Sequence, residues 1–154
     1  MARLQDMPEV ERRHLMSKAC APLPGEPFVH GRRLEERRVA IITTAGLHRR
    51  DQPAFLLGDT GYRVIAGDAA GRDLVMSHTS VNFDRTGFQQ DSNVVFPIDR
   101  LRELEAEGAI GSIARYHYAL MGALWEPPEI EATARTIAGF LKQDQVDAAL
   151  LVPV

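Results

Sequence analysis

Cysteine is nearly absent from this chain. Cys20 is the only one among 154 residues, so no internal disulfide can form, and no Cys-x-x-Cys pair is available for metal or redox chemistry. Cys20 also sits in a proline-rich stretch with no neighbouring histidine, so it has none of the surroundings that activate a thiolate nucleophile. The opening residues carry no apolar stretch of the kind a secretory signal requires, and the expected compartment is the cytoplasm. The longest apolar run is the short segment 148–154, far from the ~20 residues that cross a bilayer, so a membrane association is not expected. Positive charge is not in excess either: 18 Lys and Arg stand against 21 Asp and Glu, which removes the electrostatic footprint of a nucleic-acid binder. The one basic cluster, Arg32, Arg33, Arg37 and Arg38, is interrupted by Glu35 and Glu36 and reads as a solvated mixed-charge connector. Neither a Gly-x-Gly-x-x-Gly nor a Walker-type loop occurs, so no dinucleotide or nucleoside triphosphate site is recognisable.

What is present fits a packed α/β domain. Hydrophobic residues make up 45% and charged residues 25%, ordinary values for a chain that buries a core. Residues 1–37 hold Pro8, Pro22, Pro24, Gly25 and Pro27 around one helical possibility near 8–19, and are expected to form an irregular N-terminal arm. Residues 38–154 are expected to form the domain. Its first strand is the β-branched run 38–44, which ends at Ala45 and Gly46 and has the look of a strand buried on both faces. Short strands are expected at 62–65 and 74–77, in a hairpin or irregular insertion, because no helix fits between them. After the apolar segment 93–96 and Pro97, Ile98, Leu101 and Leu104 recur at helical spacing, with Asp99 in the first turn and Gly108 as the stop. Trp125 is read as an anchor for the next helix. That helix opens at Pro127 and Pro128 and aligns Ile130, Ala134, Ile137 and Leu141 on one face. The run 146–154 follows, apolar on both faces and expected to be a central, covered parallel strand. Strand, crossover helix and strand imply an open, mainly parallel sheet flanked by helices, a Rossmann-like three-layer α/β fold.

In such sheets ligands bind beyond the carboxyl ends of the strands. That rule makes Thr43, Thr44, Gly46 and His48 the expected substrate-binding residues, through hydroxyls, a closely approaching backbone and an imidazole. His78, between a strand and a turn, is a candidate proton donor, and His117 in Arg115-Tyr116-His117-Tyr118 a candidate in an aromatic pocket wall. These histidines share no local ligand spacing, so no metal is expected.

Several segments together resemble one family: Val39-Ala40-Ile41-Ile42-Thr43-Thr44-Ala45-Gly46-Leu47-His48, Tyr62-Arg63-Val64-Ile65, Ser77-His78, and above all 93–104 with 107–113. They look like the selenoprotein B family of glycine, betaine, sarcosine and D-proline reductases, over roughly 38–154. The resemblance implies reductive cleavage of the C–N bond of an amino acid or its N-methyl derivative, with a selenolate attacking carbon, the amine leaving and a thiol resolving the product. It also implies a partner subunit bearing a pyruvoyl group, a thiol reductant, and a selenocysteine or cysteine directly after the strand that ends at Val154. On that reading Val154 is expected to be an interrupted terminus and the domain incomplete. A non-catalytic small-molecule-binding or assembly subunit stays open as the alternative, and a homo-oligomer is compatible with either.

Overall fold

The structure is a computed structural model that describes residues 4–17, 25–26, 28–80, 85–123 and 127–154. Cys20 and Trp125, singled out above, lie outside the described residues. The chain divides into two compact units, Met1–His30 and Gly31–Val154. The first contains helix α1 (Glu9–Ser17), steadied across one turn by the Arg13 guanidinium on the Glu9 carboxylate at 2.6 Å.

The second unit is organised around β1 (Arg38–Thr43), whose valine and isoleucines suit a strand covered on both sides. Strand β2 (Leu47–Arg49) follows it, and β3 (Tyr62–Ala66) and β4 (Leu74–Met76) come next in the chain. Helices α2 (Thr86–Gln90) and α3 (Ile98–Ala106) precede β5 (Ser112–Ile113) and β6 (Tyr116–Leu120), and α4 (Pro127–Gln143) leads into β7 (Ala148–Val152). Strand β1 pairs in parallel with β7 on one side and with β5 and β6 on the other, while β3 pairs antiparallel with β6.

Two apolar layers lie on the two faces. Val39, Ile41 and Ala119 pack with Phe96 and with Ile98 and Leu101 of α3. Ile42, Tyr118 and Leu120 pack with Ile130, Ile137 and Leu141 of α4. The strand alternation of the sequence and the helical stripe of α4 thus meet in a helix, sheet, helix sandwich, and each fully buried Ile or Phe contributes about 1.5–3 kcal/mol. Asn93 starts α3: its side-chain oxygen accepts the Asp99 N–H at 3.0 Å and its amide donates to the Asp99 carboxylate at 3.0 Å. That amide holds the Asp99 carboxyl below its usual range, and Asp99 in turn grips Arg102 at 2.7 Å.

Two expectations need correction. Strand β7 is not central. Among the described residues it pairs with β1 alone, and Leu150 and Leu151 are 39% and 66% exposed, because no described element covers its outer side. Strands β3 and β4 do not form a hairpin with each other. The first joins the main sheet through β6, and the second pairs with β2 in a separate two-stranded sheet, Leu47 opposite Met76. Arg115, Tyr116 and Tyr118 do line a pocket, as the aromatic neighbours of His117 suggest, although His117 itself does not. Arg115 leads into strand β6, which lies between β1 and β3.

The join between β5 and β6 sets the geometry of the whole sheet. Arg38 stands opposite Ser112 and Ile42 opposite Tyr118, so β1 advances four residues while its neighbour advances six. The extra residues turn the chain outward there, and the Arg115 carbonyl accepts the Gly67 N–H instead of serving β1. That would strand the N–H of Ile41, which is completely buried. The ring of His117 fills the gap: its Nδ1 accepts the Ile41 N–H at 2.9 Å. Gly67 is required close by, because a Cβ there would lie 2.6 Å from the Ala114 carbonyl oxygen.

An imidazole that accepts at Nδ1 must be neutral with its proton on Nε2. Burial, reinforced by the Arg102 charge, lowers the His117 pKa to about 4. The sign follows. Between about pH 6.5 and about pH 4 the unfolded chain binds a proton that the folded one refuses, so stability falls as pH drops through that window, by about 3 kcal/mol from this one group. Denaturant titrations should show this slope in the parent protein and a shallower one in His117→Asn, whose side-chain oxygen can still accept the Ile41 N–H. At neutral pH His117→Ala should cost about 2–4 kcal/mol, more than His117→Asn. Equal losses in the two variants would remove the hydrogen bond from the account.

Candidate active site

The carboxyl ends of β1, β6 and β7 come together, as parallel pairing of β1 with the other two requires. Thr44 is the hinge of this region. Its N–H donates to the Val152 carbonyl at 3.1 Å, and its hydroxyl accepts the Val154 N–H at 2.8 Å. The hydroxyl proton points back to the Val154 carbonyl at 3.4 Å. Two residues beyond Thr44, Gly46 takes a left-handed conformation (φ 64°) and donates its N–H to the Leu120 carbonyl at 2.8 Å. A Cβ on Gly46 would lie 3.0 Å from the His78 backbone nitrogen and 3.1 Å from the Met121 methyl group. Gly122 completes the ring: a Cβ there would meet the Val154 carbonyl at 2.8 Å and the Thr44 carbonyl at 2.9 Å. Glycine at both positions lets three chain segments approach at backbone distance.

Among the predicted site residues, Thr44, Gly46 and His78 are brought to this crevice. His78 is almost fully buried; its Nδ1 accepts the Ser80 N–H at 3.2 Å, and its carbonyl accepts the Arg85 guanidinium. Burial first, and the Arg85 charge second, lower its pKa, so at neutral pH the ring is uncharged with a proton on Nε2. Thr43 faces inward, completely buried, and its hydroxyl accepts the Ala45 N–H at 3.2 Å, which tightens the turn out of β1. His48 lies on β2 opposite Val75, and its Nδ1 donates to the Arg49 carbonyl at 2.7 Å; it is held by the small sheet, not by the crevice. His117 sits inside the α3 layer, edge-on to Phe96 with ring centroids 5.5 Å apart.

Sequence reasoning missed Met121 and Gly122, which follow β6. Recognition of β6 as a strand parallel to β1 would have placed its carboxyl end here. Arg85 was missed as well, since nothing local ties it to His78. Among the described residues no group of three or more His, Cys, Asp or Glu converges as a metal site, and no helix is long and apolar enough to cross a membrane.

A strand-end crevice with a hydroxyl clamp, two close-packed glycines and a neutral imidazole is compatible with many reactions, and comparison with known proteins narrows them. The model of the glycine/sarcosine/betaine reductase selenoprotein B family matches residues 21–154. The chain belongs to this family. Among curated relatives, the D-proline reductase subunit gamma of Acetoanaerobium sticklandii is 38% identical over 120 residues, covering 77% of this chain and 49% of that protein. The betaine reductase complex component B subunit beta of Peptoclostridium acidaminophilum is 30% identical over 122 residues, covering 77% of this chain and 28% of its own. The sarcosine reductase complex component B subunit beta of the same organism is 29% identical over 133 residues. This selenoprotein B-family chain therefore spans about half or less of the length of the relatives it matches. No solved structure matches it.

The Thr44 clamp is directly testable. Thr44→Val removes the acceptor of the Val154 N–H while keeping the shape, and should make that amide exchange about fivefold faster, as expected for loss of a bond worth about 1 kcal/mol. Thr44→Ser should retain the protection. Unchanged exchange in the valine variant would show that the clamp holds nothing.

Proposed function

We propose that this chain is part of a selenol- or thiol-dependent reductase subunit that cleaves the C–N bond of an amino acid or an N-methylated amino acid. The carrying observation is the coincidence of the family match with the crevice at the ends of β1, β6 and β7, where Val154 is gripped by Thr44 beside Gly46 and His78. On this reading the redox-active selenocysteine or cysteine is joined beyond Val154 in the complete polypeptide, and a partner subunit carries the pyruvoyl group. The exposed Leu150 and Leu151 on β7 support the first point, since apolar side chains at a strand edge ordinarily find cover. The greater length of the relatives supports it too. That the relatives include subunits of reductase complexes supports the second.

The residues present fit such a group. Thr44 fixes the direction in which the chain leaves Val154, and Gly46 and Gly122 keep Cβ atoms out of the space around it. A selenolate or thiolate placed there supplies the nucleophile and the reducing electrons. His78 is the proposed proton donor at this end of the sheet; burial and the Arg85 charge keep its ring neutral at working pH and discourage its conversion to imidazolium. Substrate is an amine or amino acid, a thiol is the reductant, and the cytoplasm is the compartment.

Amine release is the decisive measurement. The 154-residue form should give none above a no-protein control with glycine, betaine, sarcosine or D-proline, even with partner subunits and a dithiol. A form extended through the codons that follow Val154, read with recoding of any in-frame stop as selenocysteine, should turn over one of them and melt at a higher temperature. Turnover by the short form would overturn the assignment of the redox residue. An ordinary stop with no downstream frame, or an extended form that binds partner without turnover, would replace the reductase reading with that of an assembly subunit.

A further inference from the structure

A concave site lies at the opposite end of β6 from Met121 and Gly122, on the α4 face of the sheet, and the proposed reaction does not use it. It is a groove of about 360 Å³ whose walls are the rings of Tyr62, Tyr116, Tyr118 and Phe140. The rings brace one another: Tyr118 stacks on Phe140 at 6.3 Å and meets Tyr62 edge-on at 6.2 Å. Tyr118 as a whole is 2% exposed, but its hydroxyl is not sealed: no hydrogen bond to a described residue holds it, and it stays open on the groove side, where a ligand can reach it. Its ionisation is suppressed by burial and by the nearby Asp144 carboxylate, so it remains a hydrogen-bond donor across the physiological range.

The charge at the rim decides what that visitor is. Asp144 is already matched: one carboxylate oxygen accepts the Arg38 guanidinium at 3.0 Å and the other the Arg115 backbone N–H at 2.7 Å. Arg115 lines the same groove, is exposed, and forms no ion pair with a described residue. The surplus charge is therefore positive, and the unspent polar groups include phenolic donors. Aromatic faces beside a donor cluster and a free guanidinium accommodate a flat apolar body carrying an anionic head.

We propose that this groove is a binding site for small ring-bearing carboxylates, with the ring against Phe140 and Tyr116 and the carboxylate on Arg115 and the Tyr118 hydroxyl. The site is separate from the crevice, so it stands whether or not the reductase assignment does.

Calorimetric titration of the 154-residue protein with phenylacetate and with 2-phenylethylamine, which carry the same ring and opposite charges, tests it. Phenylacetate should bind saturably with a stoichiometry of one, and the amine should bind about tenfold more weakly or not at all. Arg115→Gln and Tyr118→Phe each keep the backbone contacts and the ring packing, and should weaken phenylacetate by about fivefold or more with little change in melting temperature. Equal or tighter binding of the amine would overturn the charge assignment. An absence of saturable binding by either compound, or affinity untouched by both substitutions, would overturn the site.

Discussion

The sheet depends on one hydrogen bond between a side chain and the backbone. β1 lies between its neighbours and its interior is sealed from water, so each of its N–H groups needs a partner within the protein. Where β5 gives way to β6 the neighbour supplies no carbonyl, and the His117 ring stands in for one. The shift is two residues, so it leaves the alternation of faces along β6 unchanged, with Tyr116 and Tyr118 toward the aromatic groove and Ala119 toward the α3 layer, and it sets which residues, Met121 and Gly122, reach the strand ends.

At the strand ends the controlling quantity is backbone proximity. Thr44, Gly46 and Gly122 let the segments after β1, β6 and β7 converge at distances a Cβ would forbid, and the Thr44 hydroxyl ties the last of them down. A reactive group attached there would be held by backbone contacts, which vary less than side-chain rotamers do. Lowered basicity of His78 belongs to the same design, because an uncharged ring can occupy a nearly dry position that an imidazolium could not.

Histidine illustrates how far residue type carries an argument. In the sequence His78 is read as a proton donor, His117 as part of a pocket wall and His48 as a substrate-binding residue. The fold gives each a different duty: His48 is tied to its own strand, His78 borders the crevice, and His117 completes a β ladder. Tyr118 and Asp144 carry no local signal at all, being 26 residues apart and joined only by the packing of α4 on β6.

The sequence by itself determined the α/β class, the parallel pairing of 38–44 with the strand after α4, the stripe of α4, and family membership. The first three follow from local periodicity and from runs of residues whose pattern survives without knowledge of their neighbours, and the family from the resemblance of whole segments. Only the tertiary structure decided that, among the described residues, β7 pairs with β1 alone, that β3 leaves β4 to pair with β6, and which histidine reaches the strand ends. Those outcomes rest on pairing across long sequence separations and on a bulge whose unpaired N–H exists only once β1 and β6 are side by side. An apolar run reads the same in a central strand and an exposed one, because the covering element is not part of the run.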